Sequence, residues 1–521
     1  MEAEAPHKKP RNGIDQPLIL VLSILFILAN LAIILNRAWV SDDSYITFRV
    51  VENFASGYGP RWNTAERVQV FTHPLWMLLM TFLYIFTEEV YLSSIFLSIS
   101  FSMLTIIIFF LMERKNSAIW IGLIAMAFSS AYVDYSTSGL ENALSHALMM
   151  AFLFFYLRFE DPRKNTLALS FLAGLICLNR LDYILFFIPL FGYFLWEKGH
   201  RWKTVLEIGL GFVPIIGWLL FSTVYYGFPL PNTFYAKLGN WLPRSVLIHQ
   251  GWKYFLHTLQ NDPITGLILL LGVIMVVIHP SKKRILMTSG GILYFFYVLW
   301  IGGDFMEGRF FTVLFLVFLV FIVHDDFPKL KSFHYSWIFG LLLVLNLLSS
   351  IPTFTSRNWE FVETWQDGIV NERYFYARET ALFRKGVFHT SPNHPWRYEG
   401  EMLKRACDGW GKCYVPLNSV GFAGFYAGPD VYIVDRYGLG SALMARIPPE
   451  ITSDWRIGHF IRELPDGYLE YLKTEDIHRI PDPEIQAYIN KLEVVTKGPI
   501  FTTDRISLIY QFGVGQIQYP Q

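Results

Sequence analysis

Residues 71–87 read FTHPLWMLLMTFLYIFT, an apolar run closed by Glu88 and Glu89. Whether it crosses a bilayer decides the topology of everything after it. Counted as a span, it puts the turns holding Arg114/Lys115 and Arg163/Lys164 on the outer face. Laid in the outer interface, it leaves the basic turns Arg114–Lys115, Arg158–Lys164, Lys198–Lys203, Lys282–Arg284 and Lys329–Lys331 all inside, where basic loops prefer to be. The interfacial placement is therefore the expectation.

Around it, apolar runs long enough for a hydrocarbon core of roughly 30 Å recur near 17–37, 91–112, 118–133, 143–157, 165–179, 183–196, 204–222, 263–278, 285–301, 309–323 and 336–352. They predict about eleven transmembrane helices. The first follows Lys8, Lys9 and Arg11 without a small-residue cleavage site, so it reads as an anchor with the N-terminus inside. Composition agrees. Of 521 residues, 53% are hydrophobic and 17% charged, with mean hydropathy +0.35, which excludes an ordinary soluble multidomain enzyme. Lys+Arg and Asp+Glu both total 43, so no excess of charge recruits nucleic acid.

Charged residues rise from about 13% before residue 353 to about 23% after it. The expected fold class is thus a polytopic α-helical membrane domain over 1–352 with a C-terminal α/β extracytoplasmic domain over 353–521. Its strands would include VYIVD (431–435) and ISLIYQF (506–512), with EMLKRA helical. Cys177 lies in a span, while Cys407 and Cys413, six apart, suit a disulfide in an oxidising compartment. There is neither a CxxC pair nor an HExxH motif.

The non-basic turns are SDDSYITFR, DYSTSGLEN, LNRLDY, YYGFPLPNTFYAK and GGDFMEGRF, rich in acids, Gly, Pro and Tyr and all on one outer face. A transporter instead buries ionisable groups near the midplane, often in two related halves, and no internal repeat is visible here. Asp42 and Asp43 read either as helix caps or, with Arg49, as an acid/base site beside an anionic headgroup. Glu141 and His146 fall in the outer part of a span, where an ionised group costs about 3 kcal/mol. Asp304, Glu307 and Arg309 either close a turn by ion pairing or join a site. Arg180 either pairs with Asp182 or holds a phosphate in its planar fork; Lys237 either snorkels or does the same. Tyr45, Trp62, Trp76, Tyr225, Tyr226 and Tyr235 read as membrane-belt aromatics, some able to stack on sugar rings. Asp435 ends a strand before a Gly-bearing loop and either faces a ligand or caps SALMAR; His459 is structural or a ligand.

Several motifs in this order resemble the GT-C superfamily of polytopic glycosyltransferases: DDSYITFRVVENFASGYGPRWNTAERVQVFTHPLW (42–76), TSGLENAL (137–144), YYGFPLPNTFYAK (225–237), GGDFMEGRF (302–310), DRYGLGSALMARIP (435–448) and WRIGHF (455–460). They are most similar to the terminal β-(1→2)-arabinofuranosyltransferases of the mycobacterial type and related pilin arabinosyltransferases. One departure is Leu181-Asp182 after LNR, where many relatives carry a Pro-acid pair. The resemblance implies an enzyme of the bacterial inner membrane, embedded in lipid, with a cytoplasmic N-terminus. It would move arabinofuranose from a polyprenyl-phosphate donor to a hydroxyl of an extracytoplasmic glycan. A pilin-like protein acceptor or another prenyl-phosphate sugar is the near alternative, and a lipid-linked sugar flippase the remote one. Asp42 or Asp43 would be the catalytic base. Arg49, Glu141, His146, Arg180, Tyr235, Lys237, Asp304, Glu307 and Arg309 would surround the donor phosphate and sugar, with His73, Trp76, Asp435 and His459 toward the acceptor. No cofactor is certain, and a divalent cation held by Asp42 and Asp43 stays open.

Overall fold

The computed structural model describes residues 16–114, 118–197, 201–238, 242–324, 332–355, 366–409, 413–452 and 455–520. Helix α1 (Gln16–Asn36) is apolar but for Gln16, Ser23, Asn30 and Asn36 and ends at Arg37, whose buried guanidinium donates to Asp134 at 2.7 and 2.9 Å. Ser41 then caps α2 (Asp42–Ala55) by accepting the Ser44 N–H at 3.3 Å, so neither aspartate caps its own helix. Helix α3 (Pro74–Thr87) follows an extended arm. At 14 residues it is about 21 Å long, short of the hydrocarbon core, and its Phe82, Ile85 and Phe86 are exposed. The Glu89 carboxylate accepts the Tyr91 and Leu92 N–H groups at 2.7 Å each and so starts α4 (Tyr91–Glu113).

Among the described helices, Ile19–Asn36 and Tyr91–Glu113 are long and apolar enough to cross a membrane. Two bent pairs, Trp202–Gly211 with Val213–Tyr226 (60°) and Arg244–Asn261 with Pro263–Ile278 (110°), raise the count to four when each is taken as one span. The chain is a membrane protein; among the described residues, length and composition alone identify two to four spans and do not confirm the expected count of about eleven. Polar breaks shorten the rest. The run 118–133 divides at Ser129, whose hydroxyl accepts the Tyr132 N–H at 3.1 Å and bonds Asp262 at 2.8 Å, ending Ile119–Phe128 and starting Ser130–Asp134. The core is centred on Thr312–His324, apolar all round and buried from Thr312 to Val323, as a helix enclosed by others must be.

Helix Asn142–Arg158 links two ends of opposite character. Beyond its last residue, Arg163 pairs with Glu197 at 2.5 Å, Lys282 lies 3.8 Å from the same carboxylate, and Lys283 donates to the Leu157 carbonyl at 3.0 Å. Two basic turns therefore meet there, beside Glu197; Lys8, Lys9, Arg11, Lys115, Lys198, Lys329 and Lys331 lie outside the described residues.

After residue 366 the described chain carries short helices and two small sheets joined by long irregular stretches. Phe383–Arg384 pairs antiparallel with Val387–Phe388, and Cys413–Leu417 runs parallel to VYIVD, now the strand Val431–Asp435, with the helix Phe422–Ala427 crossing between them. EMLKRA lies in the helix Pro395–Cys407. ISLIYQF is corrected from strand to helix (Thr503–Gly513): Thr502 caps it, and Arg505 is buried on backbone carbonyls, fixing one helical face. SALMAR ends in a single short turn, Met444–Arg446.

The arm between α2 and α3 is sewn to this segment. Asn63 donates to the Ile433 carbonyl at 3.0 Å and accepts its N–H at 3.2 Å, while Glu66 accepts the Tyr432 hydroxyl at 2.8 Å. One hydrophobic cluster runs from Trp39 through Tyr45 and Trp62 to Phe422 and Ile433. Tyr45, Trp62 and Trp76 are thus wholly buried core, and the Tyr226 hydroxyl donates to the Pro60 carbonyl at 2.7 Å, because the arm covers the surface where belt aromatics were expected.

Candidate active site

Asp42 opens α2, yet its carboxylate accepts the N–H groups of Phe422 at 2.6 Å and Gly421 at 3.2 Å. The approach requires glycine: a Cβ at Gly421 would sit 2.0 Å from the Asp42 carbonyl oxygen. The capping role read for an aspartate is therefore exerted on Phe422–Ala427, clamping α2 to the C-terminal segment. Burial outweighs the Phe422 and Gly421 amides, and with Asp43 nearby the Asp42 carboxyl is pushed up to about 7. Raised above its unfolded value of about 4, it stabilises the fold most at low pH, and that stabilisation is lost as pH rises from about 4 through 7. The melting temperature in detergent is thus expected to fall from roughly pH 5 to pH 8 more steeply for wild type than for Asp42→Asn. Equal slopes would show that the clamp does not titrate.

Asp43, one helical step on, enters a pocket of about 80 Å³ walled by Phe305, Glu372, Tyr376, Trp396, Arg456 and His459. Burial raises its carboxyl, while Lys237, Arg309 and Arg456 pull it back. Lys237 reaches this side because Gly458, at φ +80°, has no side chain; a Cβ there would lie 2.9 Å from the Lys237 Nζ. His459 packs edge-on to Phe305 and Tyr437, ring centres 4.4 and 5.0 Å away, and burial holds it well below the usual histidine range. Glu372 is 5% exposed and, among the described residues, has no hydrogen-bond or ion-pair partner; burial, then Asp43 and Asp42, push its carboxyl well up.

Beside the pocket lies a buried hub around the wholly buried Glu141. Arg309 Nη2 donates to both Glu141 oxygens at 2.9 and 3.1 Å, Arg180 Nη1 to one at 3.1 Å, and His73 Nδ1 lies 3.2 Å from the other. Arg309, His73 and Arg180 thus surround the Glu141 carboxylate and offset the cost of burying it. Arg180 also forks onto Asp182 at 3.0 and 2.7 Å, so the ion pair and the cluster coexist. Arg309 Nη1 is 3.6 Å from Asp304. His73 Nε2 bonds the Thr47 hydroxyl at 2.8 Å, and Thr47 follows Asp43 by four residues on the same face of α2. The hub is thereby tied to the pocket.

Several expected site residues lie elsewhere. Arg49 is spent on the carbonyls of Trp62 (2.8 Å), Val431 (2.7 Å) and Gly424, joining α2 to the C-terminal segment. Trp76 donates to the Gly139 carbonyl at 3.0 Å, and His146, wholly buried, bonds Thr312 at 2.9 Å; neither lines the pocket. Tyr235 packs under Arg446, 4.9 Å from its ring centre. Asp435 is consumed by the Tyr437 and Gly440 N–H groups at 2.8 and 2.7 Å. Glu307 sits in a separate recess with Asp134, Asn371 and Arg373, where burial and Asp134 push it up to about 8. His73 belongs to the hub rather than to an acceptor mouth.

The residues missed were Glu372, Trp396 and Arg456. Glu372 follows the cap Asn371 and so reads as an ordinary first-turn acid, while Arg456 stood in WRIGHF beside the more conspicuous His459. Cys407 and Cys413 are joined in a disulfide, Cα atoms 5.6 Å apart. Among the described residues, no group of three His, Cys, Asp or Glu side chains is arranged to hold a metal ion.

No family model matches the chain. It is 28% identical over 421 residues to a terminal β-(1→2)-arabinofuranosyltransferase of Corynebacterium glutamicum, covering 71% of this chain and 58% of that one. It is 24% identical over 399 residues to the Mycobacterium tuberculosis protein of the same name, covering 66% and 63%. The chain thus spans less than two thirds of the length of these curated relatives. The crystal structure of ArnT from Cupriavidus metallidurans bound to undecaprenyl phosphate superposes with a TM-score of 0.51 at 13% identity, covering 81% of this chain and 88% of that one, so the two share a fold. The resemblance carried by the motifs is met in both sequence and fold.

Proposed function

We propose that the chain is an integral-membrane glycosyltransferase that moves arabinofuranose from a polyprenyl phosphate to a hydroxyl of an exported glycan. The observation that carries this reading is the pocket at the seam between α2 and the C-terminal segment, which holds Asp43 and Arg456 and where Asp43 feels the charges of Lys237, Arg309 and Arg456. The relatives' names support the sugar, and the undecaprenyl phosphate of the ArnT structure supports the donor class.

In this reading the acceptor hydroxyl gives its proton to Asp43 while its oxygen bonds the anomeric carbon. The bond from that carbon to the phosphate oxygen breaks, and the electron pair leaves with the polyprenyl phosphate. A prenyl phosphate is already a good leaving group, so the protein's share is a placed base and cations where charge develops. Lys237 and Arg456 meet the phosphate. Glu141 holds Arg309 and Arg180 in place, and Asp42 acts as the clamp. We assign residues 1–352 to the membrane domain and 353–521 to the extracytoplasmic domain, with α3 in the outer interface and the N-terminus cytoplasmic. The gathering of the basic turns at the end of Asn142–Arg158 remote from Glu141 supports that orientation.

Purified full-length protein supplied with synthetic prenyl-phosphoryl arabinofuranose, mannose or aminoarabinose and an oligoarabinofuranoside acceptor is expected to use the arabinofuranosyl donor at least about ten-fold faster than either other donor. Preference for another donor would overturn the sugar assignment, and a chelator arm tests dependence on a divalent cation.

A further inference from the structure

Glu372 is a buried carboxyl of the pocket to which sugar transfer by Asp43 gives no role. Glu372 begins the helix Glu372–Thr380, distant in sequence from α2, yet it lines the pocket of Asp42 and Asp43. It is 5% exposed and has no hydrogen-bond or ion-pair partner among the described residues. Its carboxyl oxygens are not sealed in but open on the pocket, where a ligand can supply hydrogen bonds in place of water. A phosphate suits Glu372 poorly, since Asp43 and Asp42 crowd it with more negative charge than Arg456 offsets, and Lys237, which acts on Asp43, is not among the main electrostatic neighbours of Glu372. A neutral, hydroxyl-rich ligand fits: the same wall carries Trp396 and Tyr376, rings suited to a sugar face, and polar Asn418 and Ser419 stand with them.

We propose that Glu372 and Trp396 form the subsite for the acceptor sugar, the Glu372 carboxyl hydrogen-bonding a ring hydroxyl and the Trp396 indole stacking on the ring, while Lys237 takes the donor phosphate. This rests on the glycosyltransferase reading and adds which wall of the pocket holds which substrate. Glu372 is a binding residue here, so its loss appears in acceptor affinity.

The test uses full-length protein in detergent with Glu372→Gln, Glu372→Ala and Trp396→Ala. Transfer is measured against varied acceptor and varied donor, and binding of an oligoarabinofuranoside without donor is measured by calorimetry. Glu372→Ala and Trp396→Ala are each expected to raise the acceptor KM at least about ten-fold, with the donor KM and kcat within about two-fold of wild type; Glu372→Gln, which keeps one hydrogen bond, should fall between. The calorimetric Kd should rise in parallel. An unchanged acceptor KM and Kd, or a change confined to kcat or to the donor KM, would overturn the subsite. If wild type transfers no sugar, the glycosyltransferase reading fails, and the calorimetric arm still decides the subsite: equal affinity of wild type and variants refutes it, and loss of affinity in the variants supports it.

Discussion

Asp43→Asn is expected to lower the rate of sugar transfer about a thousand-fold at saturating donor and acceptor, within the range that a placed base contributes. Asparagine matches aspartate in shape but cannot take a proton, so the melting temperature should stay close to that of wild type. Asp42→Asn makes the comparison informative. Its carboxylate is held by two amide N–H groups of the C-terminal segment, so its loss should loosen the seam and cost less activity than loss of Asp43. Initial rates of both variants, with melting curves alongside, separate base from clamp; a larger rate loss in a stably folded Asp42→Asn would exchange the two roles.

The second large effect is expected at Glu141. Alanine there leaves Arg309 and Arg180 buried beside one another without their shared anion, and breaking a buried ion pair on one side costs about 3–5 kcal/mol. Glu141→Ala should therefore melt far below wild type and lose transfer, because Arg309 no longer has a fixed position beside Asp43. Glu141→Gln retains an acceptor oxygen for one guanidinium and should recover part of the stability. Melting curves of the detergent-solubilised variants decide it: a Glu141→Ala protein as stable as wild type would show that the hub does not hold the two arginines.

Much of the chain was legible where one local signal dominated. The apolar length of α1 and α4 marked those helices directly, and VYIVD is the strand expected, although all five of its residues are buried rather than alternating. Legibility failed where the deciding partner is remote in sequence. Ser129 breaks an apolar run because Asp262 meets it from another helix, and the apolar run ISLIYQF does not by itself distinguish strand from helix. The site divides the same way. Asp42, Asp43, Glu141, Arg180 and Arg309 stand out as charges in apolar surroundings, but their grouping does not. Nothing near Asp42 announces that its partners are Gly421 and Phe422, and nothing near Arg49 announces that three backbone carbonyls consume it. Glu372 and Trp396 were invisible for the same reason, since each becomes a pocket residue only when the C-terminal segment folds back on α2.

The most direct measurement follows both halves of a labelled prenyl-phosphoryl arabinofuranose in proteoliposomes containing the full-length chain. The expected result is release of polyprenyl phosphate in step with sugar appearing on an added oligoarabinofuranoside, abolished by Asp43→Asn. Movement of the intact donor between leaflets, with its sugar–phosphate bond unbroken and no glycosylated product, would contradict sugar transfer at this pocket.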